Sequence, residues 1–505
     1  MNDAPRPAAP VKTILLGTVL VAALGVFAWH AWVLRFVDPP PWPDEAMFAD
    51  VAAHVARTGS LGTTMFRESV PATETHYFLY PPLYPLVVGG VFALFGPSLL
   101  AMRMTSVALA ALGLLLIHGV ARRAGLGRPA AFGAVSLMAA DLVYMRAAHN
   151  GRMEMLALLA LLAVVWLGLG APAPSGLGRR GFAMGVAAAL AFLCHPIGAV
   201  AAAVALVMLV SAAWADGSRA RGVWEGLSAL VLGGAVALLP WGIAILGDRP
   251  DFLHQFGVQF TRKVAETHSG GCLDMTAAQW PLPGRVTIAV MVSAGVGLGV
   301  AGWRRPSARG LLVVQLLLVA AVLSGCEQWY AVYLVPLTCL GLASLVTLLD
   351  APGARGLPGL AGLILAVIWA LSSAVGLVAL AAGRGPADGE TAYRAWCRQV
   401  EETVPPGSRV VLDLVPTPYF GLQGDRGLQV RLFRLAGFEM DPEREGRAMD
   451  QIDYVVLGRG RGSRALTDSV ATRGVWVADV GEATRGRYFA RIYRMRTGAE
   501  MASGR

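Results

Sequence analysis

The feature that most constrains this chain is a succession of long apolar runs separated by arginines. About 20 apolar residues are needed for a helix to cross the hydrocarbon core of a bilayer. On that ruler, runs fall at Val11–Phe36, Pro82–Val120, Ala130–Met145, Met153–Gly170, Phe182–Leu193, Ile197–Trp214, Val223–Leu246, Val286–Trp303, Leu311–Leu323, Tyr330–Leu349 and Leu357–Ala382. Charged residues make up only 15% of the chain, against about 25% in a soluble domain. In lipid the backbone must satisfy its own polar groups, which helices do. The pattern therefore predicts an all-α polytopic membrane domain of roughly 11–13 transmembrane helices. The range reflects Pro82–Val120, nearly two spans long with Phe95-Gly96-Pro97-Ser98 inside it. Either Pro82–Phe95 is short or re-entrant, or two full helices cross.

The arginines order the runs. Arg122, Arg123 and Arg128 form one basic loop, and Arg179 with Arg180 another. Arg219 and Arg221, then Arg304, Arg305 and Arg309, then Arg355 complete the set. Positive loops face the cytoplasm. The turns between them, Asp38–Tyr80, Arg146–Arg152, His195-Pro196, Asp248–Gly284 and Cys326–Trp329, then share the outer face. The basic head (Arg6, Lys12) and the run to Phe36 read as an uncleaved signal anchor, with the amino terminus cytoplasmic. This places the chain in a bacterial inner membrane. The net charge of +9 fits such flanks against anionic headgroups, and no motif supports a nucleic-acid partner. The five cysteines show no metal spacing. Cys194 and Cys339 read as core residues, whereas Cys272, Cys326 and Cys397 fall outside, where one disulfide could form.

Past Arg384 the composition changes. Short β-rich runs at Arg409–Leu414, Gln429–Leu435, Ile452–Leu457, Val475–Val480 and Arg487–Arg494 are separated by turn residues, including Asp425-Arg426-Gly427. A helix over Tyr393–Val404 precedes them. The expected organisation is a membrane domain over 1–383, with outer loops at 38–80 and 247–284. A small soluble, extracytoplasmic α/β domain follows over 384–505.

The outer face carries the polar residues that could do chemistry. Asp44-Glu45 caps an amphipathic stretch, Ala46–Arg57, and helix capping alone would explain it. A carboxylate so held could also take a proton from a hydroxyl or bind a metal, with Asp44, Glu45 and His76 as the ligands to consider. Tyr80-Pro81-Pro82-Leu83-Tyr84-Pro85 reads as a membrane-entry turn. Arg146, His149, Arg152 and Glu154 cluster at the outer ends of two runs, where ionisable groups are costly. Two arginines and a histidine suit an anionic phosphate, and a local Arg–Glu pair accounts for them equally well. Arg103 lies within another run. His195-Pro196 is a turn or a phosphate contact. Walker A, HExxH and GxSxG motifs are absent, and the GxGxxG at Gly297–Gly302 lies inside an apolar span where helix packing explains it. Group transfer outside the membrane then needs a donor already activated and lipid-linked.

Taken together, these residues resemble the GT-C-fold glycosyltransferases, the group that includes the protein O-mannosyltransferases and the aminoarabinose transferases. The resemblance covers about residues 12–350. It rests on an ordered set: Pro43-Asp44-Glu45, Tyr80-Pro81-Pro82-Leu83-Tyr84-Pro85, Arg103 in Ala101-Met102-Arg103-Met104-Thr105-Ser106, Arg146 with Arg152-Met153-Glu154, His195-Pro196, and Gln328-Trp329-Tyr330 before Val335-Pro336. It implies a polyprenyl-phosphate-linked sugar donor and transfer to a lipid, glycan or protein acceptor on the outer, periplasmic face, with inversion. Asp44 would be the base or the acceptor-orienting group, with Glu45 beside it. The aminoarabinose-transferring relatives carry a lysine immediately before the proline of the second motif, where this chain has Tyr80. The phosphate contacts would then come from Arg103, Arg152, His195 and Tyr80, supported by Arg146, His149 and Glu154.

Two other classes compete. A transporter or lipid flippase should place charges near mid-span. Here the ionisable residues within spans away from the outer face are His118 and Glu225, both near span ends. A non-catalytic envelope assembly factor would leave Asp44 exposed and far from any arginine.

Overall fold

The computed structural model describes residues 10–502, apart from 37, 68–69, 171–175, 216–219, 268–270, 306–307, 351–355, 383–388, 423–428, 432–448, 460–463 and 482–486. Arg6, Arg219, Arg355 and the turn at 425–427 lie outside the described residues.

The membrane part runs as α1 (Pro10–Val33), α2 (Pro43–Thr58), α3 (Leu83–Phe95), α4 (Leu99–Arg123), α5 (Arg128–Ala139), α6 (Leu142–Ala148), α7 (Glu154–Gly168), α8 (Leu177–Cys194), α9 (Val200–Ala215), α10 (Ala220–Gly247), α11 (Arg249–Thr267), α12 (Cys272–Ala277), α13 (Gly284–Arg304), α14 (Gly310–Gly325), α15 (Val335–Val346) and α16 (Gly356–Ala382). Among the described residues seven helices are long and apolar enough to cross a membrane, or eight if the bent pair α5–α6 is one span. Four more are apolar but shorter, within α1, α3, α7 and α14.

The long run at 82–120 resolves into two unequal helices. The α3 helix has 13 residues and α4 has 25. Arg103, in the second turn of α4, bonds to Glu45 in the first turn of α2. The α4 helix therefore starts on the face that carries α2, and α3 does not cross to the other side. The α5–α6 break bends by 64°. Asp141, buried there, caps α6 by accepting from the Tyr144 N–H at 2.8 Å, and its other oxygen accepts from Trp280 Nε1 at 2.9 Å. The buried acid at this break is satisfied by a helix end and an indole. The glycines of the in-span GxGxxG do serve packing: a Cβ on Gly297 would stand 2.0 Å from the Gly341 carbonyl of α15, so only glycine lets the two backbones meet.

The carboxy-terminal region opens with α17 (Glu390–Thr403) and forms one five-stranded sheet. Its strands are β1 (Arg409–Asp413), β2 (Gln429–Arg431), β3 (Tyr454–Leu457), β4 (Gly474–Gly481) and β5 (Phe489–Met495), in the order β2-β1-β3-β5-β4. The β1 strand runs parallel to β2 and β3, whereas β5 is antiparallel to β3 and β4. Each of the five expected β runs overlaps one of these strands.

This region does not stand apart from the membrane part. Its α17 and sheet residues (Tyr393, Trp396, Val400, Val456, Ile492) share one apolar core with α2 and the segment after it (Met47, Phe48, Val51, Tyr77, Tyr84). Polar bonds reinforce the join. Thr417 N–H donates to the Pro41 carbonyl at 2.9 Å, the Tyr419 hydroxyl to Asp50 at 2.8 Å, and Arg35 pairs with Glu390 at 2.6 Å. On the same face Cys272 and Cys326 form a disulfide that ties α12 to the end of α14, whereas Cys397 is buried and reduced.

Candidate active site

The residues flagged by sequence converge on the first turn of α2. Trp42 is its N-cap and Pro43 occupies the first helical position, where a missing N–H costs nothing. Asp44 and Glu45 follow in the first turn, and both carboxylates complement the positive end of the helix.

The two acids have different environments. Glu45 is fully buried and accepts four bonds: from Arg103 Nε at 2.8 Å and Nη2 at 2.6 Å, from the Gly151 N–H at 2.7 Å and from its own N-cap Trp42 N–H at 3.0 Å. Arg103, equally buried, spends its remaining Nη1 on the Arg35 carbonyl. This bidentate pair binds α2, α4 and the α6–α7 turn together. The turn approaches through Gly151, where a Cβ would meet Met102 at 2.8 Å and Glu45 Oε1 at 3.0 Å. Glu45 has no lone pair left for a metal or an acceptor, and Arg103 has no face open to a phosphate.

Asp44, by contrast, keeps 26% of its side chain exposed. Its Oδ2 accepts from Arg152 Nη1. Arg152 also donates from Nε to Glu154 Oε1 at 3.0 Å, and its guanidinium sits over the Trp329 ring at 5.1 Å. Glu154 opens α7 and is itself buried. Burial works against the charge on Arg152, but Glu154 and Asp44 more than offset it, so the guanidinium pKa lies above its ordinary value. Arg152 is thus a permanent cation held between two carboxylates, one buried and one open.

Aromatic side chains wall this cluster. Tyr80, almost buried, meets Phe48 edge-on at 5.2 Å, and Tyr84 meets the same ring at 5.7 Å. His195 closes α8, accepts from the Ile197 N–H through Nδ1 at 3.0 Å, and stands edge-on to Tyr330 at 5.1 Å. Tyr77 was not flagged by sequence. It is buried, its hydroxyl has no hydrogen-bond partner among the described residues, and burial, with Tyr80, Asp44 and Asp50 nearby, pushes its pKa well above the usual value. Trp42 and Tyr77 carry no sequence signal beyond an aromatic in a polar loop.

Three of the flagged residues lie elsewhere. His149 is fully buried against His30 of α1, with Nδ1 atoms 3.0 Å apart, and burial, His30 and Arg103 hold its pKa well below the ordinary value. Arg146 sits 3.4 Å from the buried Asp38 and lines a separate cavity of about 430 Å³ with Trp280 and Gly376. His76 does not join Asp44 and Glu45. It lies between Asp248 and Asp251, so the metal set considered from sequence is not assembled.

A helical membrane part with a carboxy-terminal sheet docked on α2 is the arrangement of the GT-C fold. Residues 80–241 match the family model described as dolichyl-phosphate-mannose-protein mannosyltransferase. The structure is similar to that of ArnT from Cupriavidus metallidurans bound to undecaprenyl phosphate, with a TM-score of 0.61 and 16% identity over 96% of this chain and 98% of that one. It also resembles the arabinofuranosyltransferase AftD from Mycobacteria (TM-score 0.57, 16% identity, 96% of this chain, 40% of that one). A third likeness is to the oligosaccharyltransferase AglB from Archaeoglobus fulgidus, solved with an inhibitory peptide and a dolichol-phosphate (0.52, 12% identity, 89% and 70%). No protein of curated function matches the sequence.

Proposed function

We propose that this protein is a multi-pass membrane glycosyltransferase that moves a sugar from a polyprenyl-phosphate donor to an acceptor hydroxyl on the outer face, with inversion. The observation that carries this reading is the half-open Asp44–Arg152–Glu154 constellation on a GT-C fold. The acceptor oxygen forms a bond to the anomeric carbon while the bond from that carbon to the phosphate oxygen breaks. Asp44, the exposed acid, orients the hydroxyl and takes its proton. The leaving polyprenyl phosphate gains negative charge, which Arg152 is placed to stabilise. Glu154 keeps Arg152 in position when Asp44 is protonated and releases its half of the pair. Tyr80 and His195 contribute polar edges to the donor side. Glu45 and Arg103 serve as the scaffold that fixes Asp44 rather than as reacting groups. The disulfide between α12 and α14 supports an outer, oxidising side for this face, and hence a cytoplasmic amino terminus and an outer carboxy-terminal domain.

The test compares envelope glycolipids and glycans by mass spectrometry in cells with the chain, without it, and with Asp44→Asn. Loss of one glycosylated species on deletion, not restored by a well-expressed Asp44→Asn variant, is the expected result. Full restoration by that variant would remove Asp44 from the mechanism. A deletion that changes no glycan would remove the activity.

A further inference from the structure

Among the described residues, one cluster of metal-ligating side chains lies outside the Asp44 site. His76, in the first outer loop, stands between Asp248 and Asp251 at the α10–α11 junction. Its Nε2 is 3.1 Å from Asp248 Oδ2 and its Nδ1 is 3.6 Å from Asp251 Oδ2. One ligand atom from each residue lies within 4.8 Å of the others. In a tetrahedral zinc site with nitrogen and oxygen ligands, bonds of about 2.0–2.2 Å place donor atoms roughly 3.3–3.5 Å apart. Rotations of the two short carboxylate side chains, each about a third exposed, close that gap.

The backbone beneath these side chains is held by other means. Gln255, one turn beyond Asp251 in α11, is fully buried. Its Oε1 accepts from the Phe78 N–H at 2.7 Å, and its Nε2 donates to the His76 carbonyl at 2.9 Å and the Pro71 carbonyl at 3.2 Å. Phe78 packs edge-on against Phe252 of the same helix at 5.7 Å. His76 is therefore locked to α11 through its own main chain, opposite Asp251 in that helix's first turn and Asp248 just before it. An adventitious surface ion pair between flexible side chains would not be built on such a clamp.

We propose that His76, Asp248 and Asp251 bind one divalent transition-metal ion of the zinc class, which fastens the first outer loop to the α10–α11 junction. The donor set decides the class. One imidazole with two carboxylates suits zinc and its neighbours, whereas calcium and magnesium take oxygen donors alone. The ion takes one imidazole nitrogen, and water completes its coordination on the exposed side. The other nitrogen stays within reach of Thr75 Oγ1, 3.3 Å from Nδ1. The site is structural: it secures the loop four residues before Tyr80 and takes no part in proton transfer at Asp44.

The test uses the tag-free full-length protein in detergent, equilibrated with zinc alone and then desalted. Elemental analysis should find about one zinc per wild-type chain, with a raised melting temperature. His76→Ala and Asp251→Asn should each lose both the metal and the shift, and Asp44→Asn should keep both. If His76→Ala lowers the zinc-free melting temperature, Asp248→Asn decides, because it preserves side-chain shape. A wild-type chain that retains no zinc overturns the proposal, as do variants that retain as much as wild type. A melting temperature that falls in His76→Ala but does not respond to zinc in the wild type would mark the cluster as an ion pair only. Metal content is read independently of sugar transfer, so the outcome stands apart from the fate of the glycosyltransferase reading.

Discussion

Two adjacent acids, Asp44 and Glu45, have opposite surroundings. Helical geometry turns consecutive side chains about 100° apart, so one faces the α4 arginine and the other the opening. Glu45 and Arg103 form a fully buried, fully bonded pair. Removing one partner of such a pair leaves an uncompensated charge, at a cost of about 3–5 kcal/mol. Arg103→Ala should therefore lower the melting temperature strongly and reduce the yield of folded protein. Asp44→Asn should leave the melting temperature close to wild type while abolishing transfer. Thermal unfolding in detergent, run beside the transfer assay, checks the contrast. The divided roles of these neighbours were not legible in the sequence. Pro43-Asp44-Glu45 flags both acids equally, and Arg103 lies 58 residues from its partner. What separates them is the close approach of Gly151, a contact no local pattern reveals.

At the scale of elements, apolar length and turn residues made the helices and strands readable, including the break at 96–98. Pairing between elements was less readable. The α6–α7 turn looked like a phosphate-binding cluster because it holds two arginines and a histidine. In the structure its members part company: Arg152 joins Asp44, Arg146 turns to Asp38, and His149 packs on α1. That last contact makes the α1–α6 join sensitive to acid. With Nδ1 facing Nδ1, one neutral ring donates and the other accepts, and a second proton would set two donors face to face. The folded pKa of His149 lies below its ordinary value, so the unfolded chain binds the proton first as pH falls. The stability this contact provides is complete above about pH 6.5 and is lost below it, by up to about 1.4 kcal/mol per pH unit. Melting temperature should fall between pH 7.5 and 5, and His149→Gln should flatten that dependence. An unchanged slope would locate the acid sensitivity elsewhere.

At the scale of the whole molecule, composition marked the carboxy-terminal region as a separate soluble unit because its charge density differs so sharply. Composition says nothing about docking. In the structure α17 and the sheet complete the core over α2, and the Tyr419 hydroxyl reaches Asp50 on the helix that carries Asp44. A hydrogen bond to a charged group contributes about 1.5–3 kcal/mol. Tyr419→Phe should therefore weaken the docking by about that amount, and transfer should fall without any change at Asp44. Limited proteolysis between the membrane part and α17, followed by the transfer assay, measures both.

The lid over α2 also sets an order of events in synthesis. Residues 41 and 50, between α1 and α3, leave the ribosome early. Their partners, Thr417 and Tyr419, are made only after the last membrane helix. Until then the apolar back of α2, with Met47, Phe48 and Val51, waits uncovered at the membrane surface. The helix that presents the acid is thus among the first pieces made and among the last to be enclosed. A nascent chain that stalls before residue 390 would expose a sticky, unfinished surface to quality-control proteases.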